Sequence, residues 1–297
     1  MSHVVSPGYP RPVSQPPIKK NLKRGAHNRA VGAGRLRGAP VSQGMTMKHA
    51  WWRATVVCLA GTLGTAAQAQ NYIGISAAVA PRYEGAKDYR FLPVPLIHYE
   101  NGPFFISPRA GLPSAGLKWQ LGEHVYAGVF VGAHLGRDAD DSDILHGLDD
   151  IDMHATYGAY IEWQYGALGL GAAYRQAARS GYGGVGELRA TYRVWQTGRD
   201  SVSVGARTEW ASDDYMRTWY GISASQAARS EAGLRRYSAS SGFKSGGIFA
   251  SWTHRLDQRW AVNATAGVNT LFGDARDSPV SERSTNYFGG VGLTYAF

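Results

Sequence analysis

The feature that most constrains this chain is a recurring segment of about ten residues in which apolar side chains alternate with small or polar ones, bounded by turn residues. The last such segment, Thr285 to Phe297, reads TNYFGGVGLTYAF. Val291, Leu293, Tyr295 and Phe297 fall on one face, and Gly290, Gly292, Thr294 and Ala296 on the other. A bare apolar strand at a chain end is an aggregation hazard in water. It suits a strand with lipid on one side and a lumen on the other. The same alternation sets Val202, Val204, Ala206, Thr208 and Trp210 against Ser203, Gly205, Arg207 and Glu209. It also sets Val125, Ala127, Val129, Val131 and Ala133 against Tyr126, Gly128, Phe130 and Gly132.

The pattern predicts strands over 70–80, 91–100, 103–110, 115–121, 125–134, 153–164, 168–177, 185–195, 202–211, 244–256, 260–272 and 285–297. The segment 103–121 is the least regular, because Pro103, Pro108 and Pro113 interrupt it. About twelve strands is an even number, as bacterial outer-membrane barrels have. Every second connection is short, whereas 81–90, 135–152, 212–243 and 273–284 are long. Trp163, Trp195, Trp210 and Trp260 stand near strand ends, where membrane-interface girdles sit. No helical pattern of useful length is read after residue 70. The expectation is an all-β, transmembrane, antiparallel up-and-down barrel over 70–297 in the cell outer membrane, with short turns and both termini in the periplasm. A soluble β-sandwich or a periplasmic barrel is the competing fold.

The net charge of +9 suggests nucleic acid, but its distribution argues against that partner. Residues 1–69 carry ten Lys/Arg and no Asp or Glu, leaving 21 basic against 22 acidic residues in the remainder. Residues 1–46 are a basic, Pro/Gly-rich extension with no apolar periodicity, the composition of disorder. Residues 47–69 follow with a basic start (Lys48, His49, Arg53), an apolar run from Ala54 to Ala67 and a small-residue cleavage site, Ala67-Gln68-Ala69. That run is shorter than the roughly 20 residues of a spanning helix. A signal peptide cleaved between Ala69 and Gln70 is therefore expected. An extension ahead of it further implies that translation starts at Met45 or Met47. Cys58, the one cysteine, leaves with the signal, so disulfide and thiolate chemistry are excluded from the mature chain.

Motifs for chemistry are sparse. Gly181-Tyr182-Gly183-Gly184-Val185-Gly186 fits a dinucleotide fingerprint, but the alternating ELRATYRVW that follows is a strand where a helix is required. The acidic 137–152 lacks glycine at the sixth position of a calcium loop begun at Asp138. A solvated external loop is expected there, with weak Ca²⁺ binding the alternative. The histidines His98, His124, His134, His146, His154 and His254 show no metal-ligand spacing. No cofactor, metal or catalytic residue is assigned. Glu162, Arg175, Glu187, Arg189, Arg193, Arg207 and Glu209 share the lumen face of neighbouring strands. They make either a salt-bridged plug or an arginine-lined constriction favouring anions. Twelve strands enclose less space than the 16–18 of aqueous porins, which favours the plug.

Several stretches together resemble the MipA/OmpV family of Gram-negative outer-membrane proteins. These are PRYEGAKDYRFLPVPLIHYENG (81–102), GRDADDSDILHGLDDID, WASDDYMRTWYGISASQA (210–227) and LFGDARDSPVSE (271–282), followed by the terminal strand. In the first, Pro81, Tyr83, Glu84, Gly85, Asp88, Tyr89, Pro93, Pro95 and Tyr99 carry the match. The extension 1–46 departs from the family. The resemblance implies an outer-membrane barrel in contact with lipid, with no established enzymatic activity. It implies a scaffold linking a lytic transglycosylase to a bifunctional peptidoglycan synthase; other members are treated as porin-like, adhesive or antigenic. The alternatives for this chain are a narrow channel with the arginine-lined lumen or a surface adhesin using the long external loops 135–152 and 212–243. Tyr295 and Phe297 resemble the terminal insertion signal read by the barrel assembly machinery.

Overall fold

The computed structural model describes residues 71–109 and 112–297. The extension 1–46, the signal segment 47–69, and with them Ala69 and Gln70 at the expected cleavage site, lie outside the described residues.

Twelve strands follow in chain order: β1 (Tyr72–Pro81), β2 (Tyr89–Asn101), β3 (Phe104–Ile106), β4 (Ser114–Gly122), β5 (Val125–His134), β6 (His154–Tyr165), β7 (Leu168–Ala177), β8 (Gly184–Gln196), β9 (Asp200–Ala211), β10 (Gly242–Arg255), β11 (Trp260–Leu271) and β12 (Thr285–Ala296). Each pairs antiparallel with its neighbours in sequence, and β1 pairs with β12, with Tyr72 opposite Ala296 and Val79 opposite Gly289. The strand order is that of a closed up-and-down barrel, and the long ladders bond their backbone polar groups internally, as lipid requires. Among the described residues the ladder is short only at β3, which pairs with β2 over Tyr99–Asn101 and with β4 over Ala115–Leu117.

Alternation then decides the faces. Ile75, Val129, Ile161, Leu188, Val204, Ile248 and Val291 point outward and are exposed, as residues in hydrocarbon are. Exposed aromatics gather at both ends of this belt. Tyr89, Tyr157, Trp210, Phe243 and Tyr287 lie at one end, and Phe104, Trp119, Tyr165, Trp195, Trp252 and Trp260 at the other. Two such girdles mark the two membrane–water interfaces.

The ends of the barrel differ. At the turn end, connections between strands are only two to four residues, and both the first described residues and the carboxyl terminus lie there, with Phe297 N donating to Asn71 O at 2.9 Å. At the loop end, the long connections fold together. Within 212–241, α1 (Asp213–Tyr220) follows Ser212, and α2 (Ala224–Arg229) opens with a capping box between Ser223 and Gln226. A third helix, α3 (Gly273–Asp277), lies between β11 and β12. The loop between β5 and β6 makes two single turns of 3-10 helix, Ala139–Asp141 and Asp143–Leu145.

Three expectations are corrected here. The chain after residue 70 is not free of helix: α1 buries Tyr215, Met216, Trp219 and Tyr220, an apolar stripe carried on two turns. The acidic loop is not simply solvated, because Leu145, Leu148 and Ile151 anchor it in a core. The third strand stops at Ile106, well short of residue 110, because Pro108 cannot continue the ladder. The chain instead turns inward, and Arg109 and Leu112 make an isolated antiparallel bridge.

Candidate functional site: a capped and layered interior

The loop end carries a cap with its own hydrophobic core. Tyr83 and Ala86 from the β1–β2 loop meet Leu145, Leu148 and Ile151, the α1 stripe, Ile222, Ala239, Ala275 and Val280 over the strand ends at Val185, Ala211 and Leu271. Burial of this many large side chains, at about 1.5–3 kcal/mol each, holds loops in place that would otherwise be mobile. Polar ties cross the same core. Tyr83 donates its hydroxyl to Val280 O and Glu282, each at 3.0 Å. Glu282 also accepts from Lys87 and Ser142. Burial opposes its charge, but these donors more than offset that and hold the carboxyl below its usual range. Burial pushes the Tyr83 phenol well up, and Glu282 adds to the effect, so Tyr83 stays a donor. Arg137 is buried, donates to Trp219 O at 2.7 Å and lies over the Tyr83 and Trp219 rings. Desolvation pulls its guanidinium below the usual arginine value. Asp149 and Asp152 of the acidic loop pair with Arg229 and Arg179, which neutralises part of its charge.

Beneath the cap lies an ionic layer. Glu187 opposes Glu209 and Arg189 opposes Arg207 across β8 and β9, so like charges face each other in register. Such pairs are destabilising unless compensated. Glu187 and Arg189 compensate each other at 2.6 Å. For Glu209 the counter-charge is Lys244, which sequence reasoning missed. A register shift between Phe243 and Ser245 makes Lys244 the extra residue of a bulge. That re-aims its side chain into the barrel. Lys244 is 2% exposed, and its ammonium donates to Glu209 and Glu84 at 2.6 Å each and to the Ser245 hydroxyl at 3.2 Å. Its three donors are thereby satisfied. Glu84 extends the network into the cap, accepting from Tyr220 at 2.8 Å and Asn269 at 2.9 Å.

At mid-height the wall is aromatic. Five interior rings lie over the glycine directly opposite on the next strand: Phe105 over Gly116, Tyr160 over Gly128, Phe130 over Gly158, Phe249 over Gly205 and Phe288 over Gly267. The glycines let large rings lie flat against the wall of a narrow barrel. Arg109 adds to this layer, its guanidinium 4.7 Å from the Phe105 ring centre and 4.4 Å from that of Tyr160, with Glu162 at 3.5 Å.

The seven sequence-derived lumen residues are thus distributed over depth. Arg175 and Glu187 are buried near the cap. Arg189, Arg207 and Glu209 share their layer. Glu162 and Arg193 lie toward the turn end, Arg193 donating to Gly166 O at 3.3 Å. Two histidines that spacing left apart come together: His134 and His154 oppose each other with rings stacked 5.3 Å apart, and Trp219 packs against His134. Among the described residues no three His, Cys, Asp or Glu converge as metal ligands.

The comparisons fit this architecture. Residues 73–297 match the family described as MltA-interacting protein MipA. The MltA-interacting proteins of Escherichia coli (strain K12) and Shigella flexneri are each 28% identical over 246 residues, spanning 80% of this chain and 96% of theirs. Among solved structures, the NanC porin aligns over 76% of this chain and 100% of its own, with 9% identity and a TM-score of 0.44. A closed twelve-strand barrel with an apolar outer belt and a match over nearly all its length make this chain an outer-membrane member of the MltA-interacting protein MipA family.

Proposed function

We propose that this chain is a non-enzymatic docking body that holds peptidoglycan-remodelling enzymes, a lytic transglycosylase and a peptidoglycan synthase, at the inner face of the outer membrane. The observation that carries the reading is the cap: long loops with a shared hydrophobic core, seated on an ionic layer, occupy one end of the barrel. That construction supports a binding role over solute passage. It favours the plug over the arginine-lined channel, although Arg189, Arg193 and Arg207 do face inward. The relatives are named for an interaction with MltA. On this reading the capped end faces outward, and the turn end, with both termini, faces the periplasm. Tyr295 and Phe297, at the end of the strand that closes the barrel, then serve as the signal for the assembly machinery.

In-cell crosslinking of the mature protein in native outer membranes, followed by purification and mass spectrometry, tests the reading. A lytic transglycosylase or peptidoglycan synthase should be recovered, and lost when the short turns are altered. Recovery of only abundant membrane proteins would overturn it.

A further inference from the structure

A docking body needs contact area, and the turn end offers little outside the barrel. Its five turns, of two to four residues each, present fewer residues than the roughly 20–30 a side that a stable interface uses. The interior at that end supplies what the turns lack. Along the wall from β6 to β10, inward residues near the cap are packed: Thr156, Arg175, Glu187, Lys244 and Ser245 are all buried. Toward the turn end the same wall opens. Glu162, Gln164, Thr191, Arg193, Ser203 and Thr253 are each half-exposed or exposed, although they face the lumen.

Charge in this mouth is uneven. The strand carboxylates that face into it are already matched, Glu162 by Arg109 and Glu100 by Lys118, the latter at 2.6 Å. Asp200 lies on the outer face, held by His254 at 2.8 Å and Trp252 at 3.1 Å, and in the last turn Asp257 is held by the backbone N–H groups of Arg259 and Trp260 at 2.7 Å each. Arg199 and Arg255 remain. Arg255 ends β10 in the inward register of Ser251 and Thr253, and Arg199 stands beside it in the β8–β9 turn, at the rim. The two are neighbours, Arg255 N donating to Arg199 O at 2.8 Å. Both side chains are exposed, and among the described residues neither guanidinium meets a carboxylate.

We infer that the open half of the lumen is a receptor mouth for a carboxylate-rich segment of a periplasmic protein, an acidic loop or chain end that enters past Arg199 and Arg255. Guanidinium forks bind carboxylates with two parallel hydrogen bonds. A segment seated in the mouth gains buried area that flat docking on the turns cannot provide. This inference rests on the docking reading and on its placement of the turn end in the periplasm.

The test uses the full chain in cells, with a photo-crosslinking residue placed either inside the mouth at Thr191 or on the rim at Gln258. Thr191 should capture Asp/Glu-rich peptides of a periplasmic protein. The pair Arg199→Glu and Arg255→Glu should cut capture at least tenfold, with the amount of folded, heat-modifiable barrel unchanged. Arg199→Lys with Arg255→Lys, which keeps the charge, should retain most of it. Capture at Gln258 but not at Thr191, or capture indifferent to charge reversal, would overturn the mouth and leave the docking reading standing. Lipid alone at Gln258, lost on reversal, would make the arginines an anionic-lipid contact and also overturn the mouth. No protein at either position would overturn both.

Discussion

Lys244→Met is expected to destabilise the barrel by about 3 kcal/mol or more, the scale for removing one partner from a buried ion pair. The ammonium is the common partner of Glu209 and Glu84, and methionine fills its volume without its charge. Glu209 would retain Ser245, and Glu84 would retain Tyr220 and Asn269. Those hydrogen-bond partners are neutral, and for Glu209 the positive charge left nearby is that of Arg207 and Arg175. Glu84 lies in the β1–β2 loop, so the damage should reach the cap as well as the wall. The check is the temperature at which the purified protein in detergent loses its compact, fast-migrating form on gels. Lys244→Met should lose it well below the wild type, and adding Glu84→Gln and Glu209→Gln should restore much of the difference. A single variant melting with the wild type would show that the network contributes little.

Gly205→Val is the second large effect. A Cβ at Gly205 would stand 2.3–2.9 Å from three atoms of the Phe249 ring. Overpacking of a filled interior costs about 1–3 kcal/mol, and valine adds two methyl groups to that collision. Because the nearest atoms all belong to Phe249, the double variant Gly205→Val with Phe249→Ala should refold better than Gly205→Val alone. That is a coupling a double-mutant cycle measures directly. Gly198→Ala is the control, since nothing lies within 4 Å of its added Cβ. Equal refolding yields for Gly205→Val and Gly198→Ala would sink the argument that rings on glycine shape the interior.

The barrel wall was legible because a period of two is read residue by residue. The terminal strand and the alternation of short and long connections followed from it. The cap was not legible by the same means. Its helices run eight residues or fewer, and their core is assembled from four loops far apart in sequence. One local signal was there: Ser212-Asp213-Asp214 ahead of Tyr215, Met216, Trp219 and Tyr220 reads as a helix start followed by an apolar stripe. Lys244 was hidden by the bulge, because strict alternation cannot place both it and Ser245 inside. Arg109 was hidden by the prolines around it, which made the segment look like an irregular strand when it is an inward turn. Tyr83 and Glu84 carried the family resemblance, and the structure gives them a physical role as ties between loops.

The account stands on the claim that the cap closes this barrel to solute. Single-channel recording in planar bilayers tests that most directly, comparing the wild type with a variant in which 213–240 is replaced by a short Gly/Ser turn. The wild type should give no stable conductance steps, and the cap-deleted barrel should open. Stable, anion-selective steps from the intact protein, altered by Arg189 or Arg207 substitution, would contradict the account and make the arginine-bearing interior a channel.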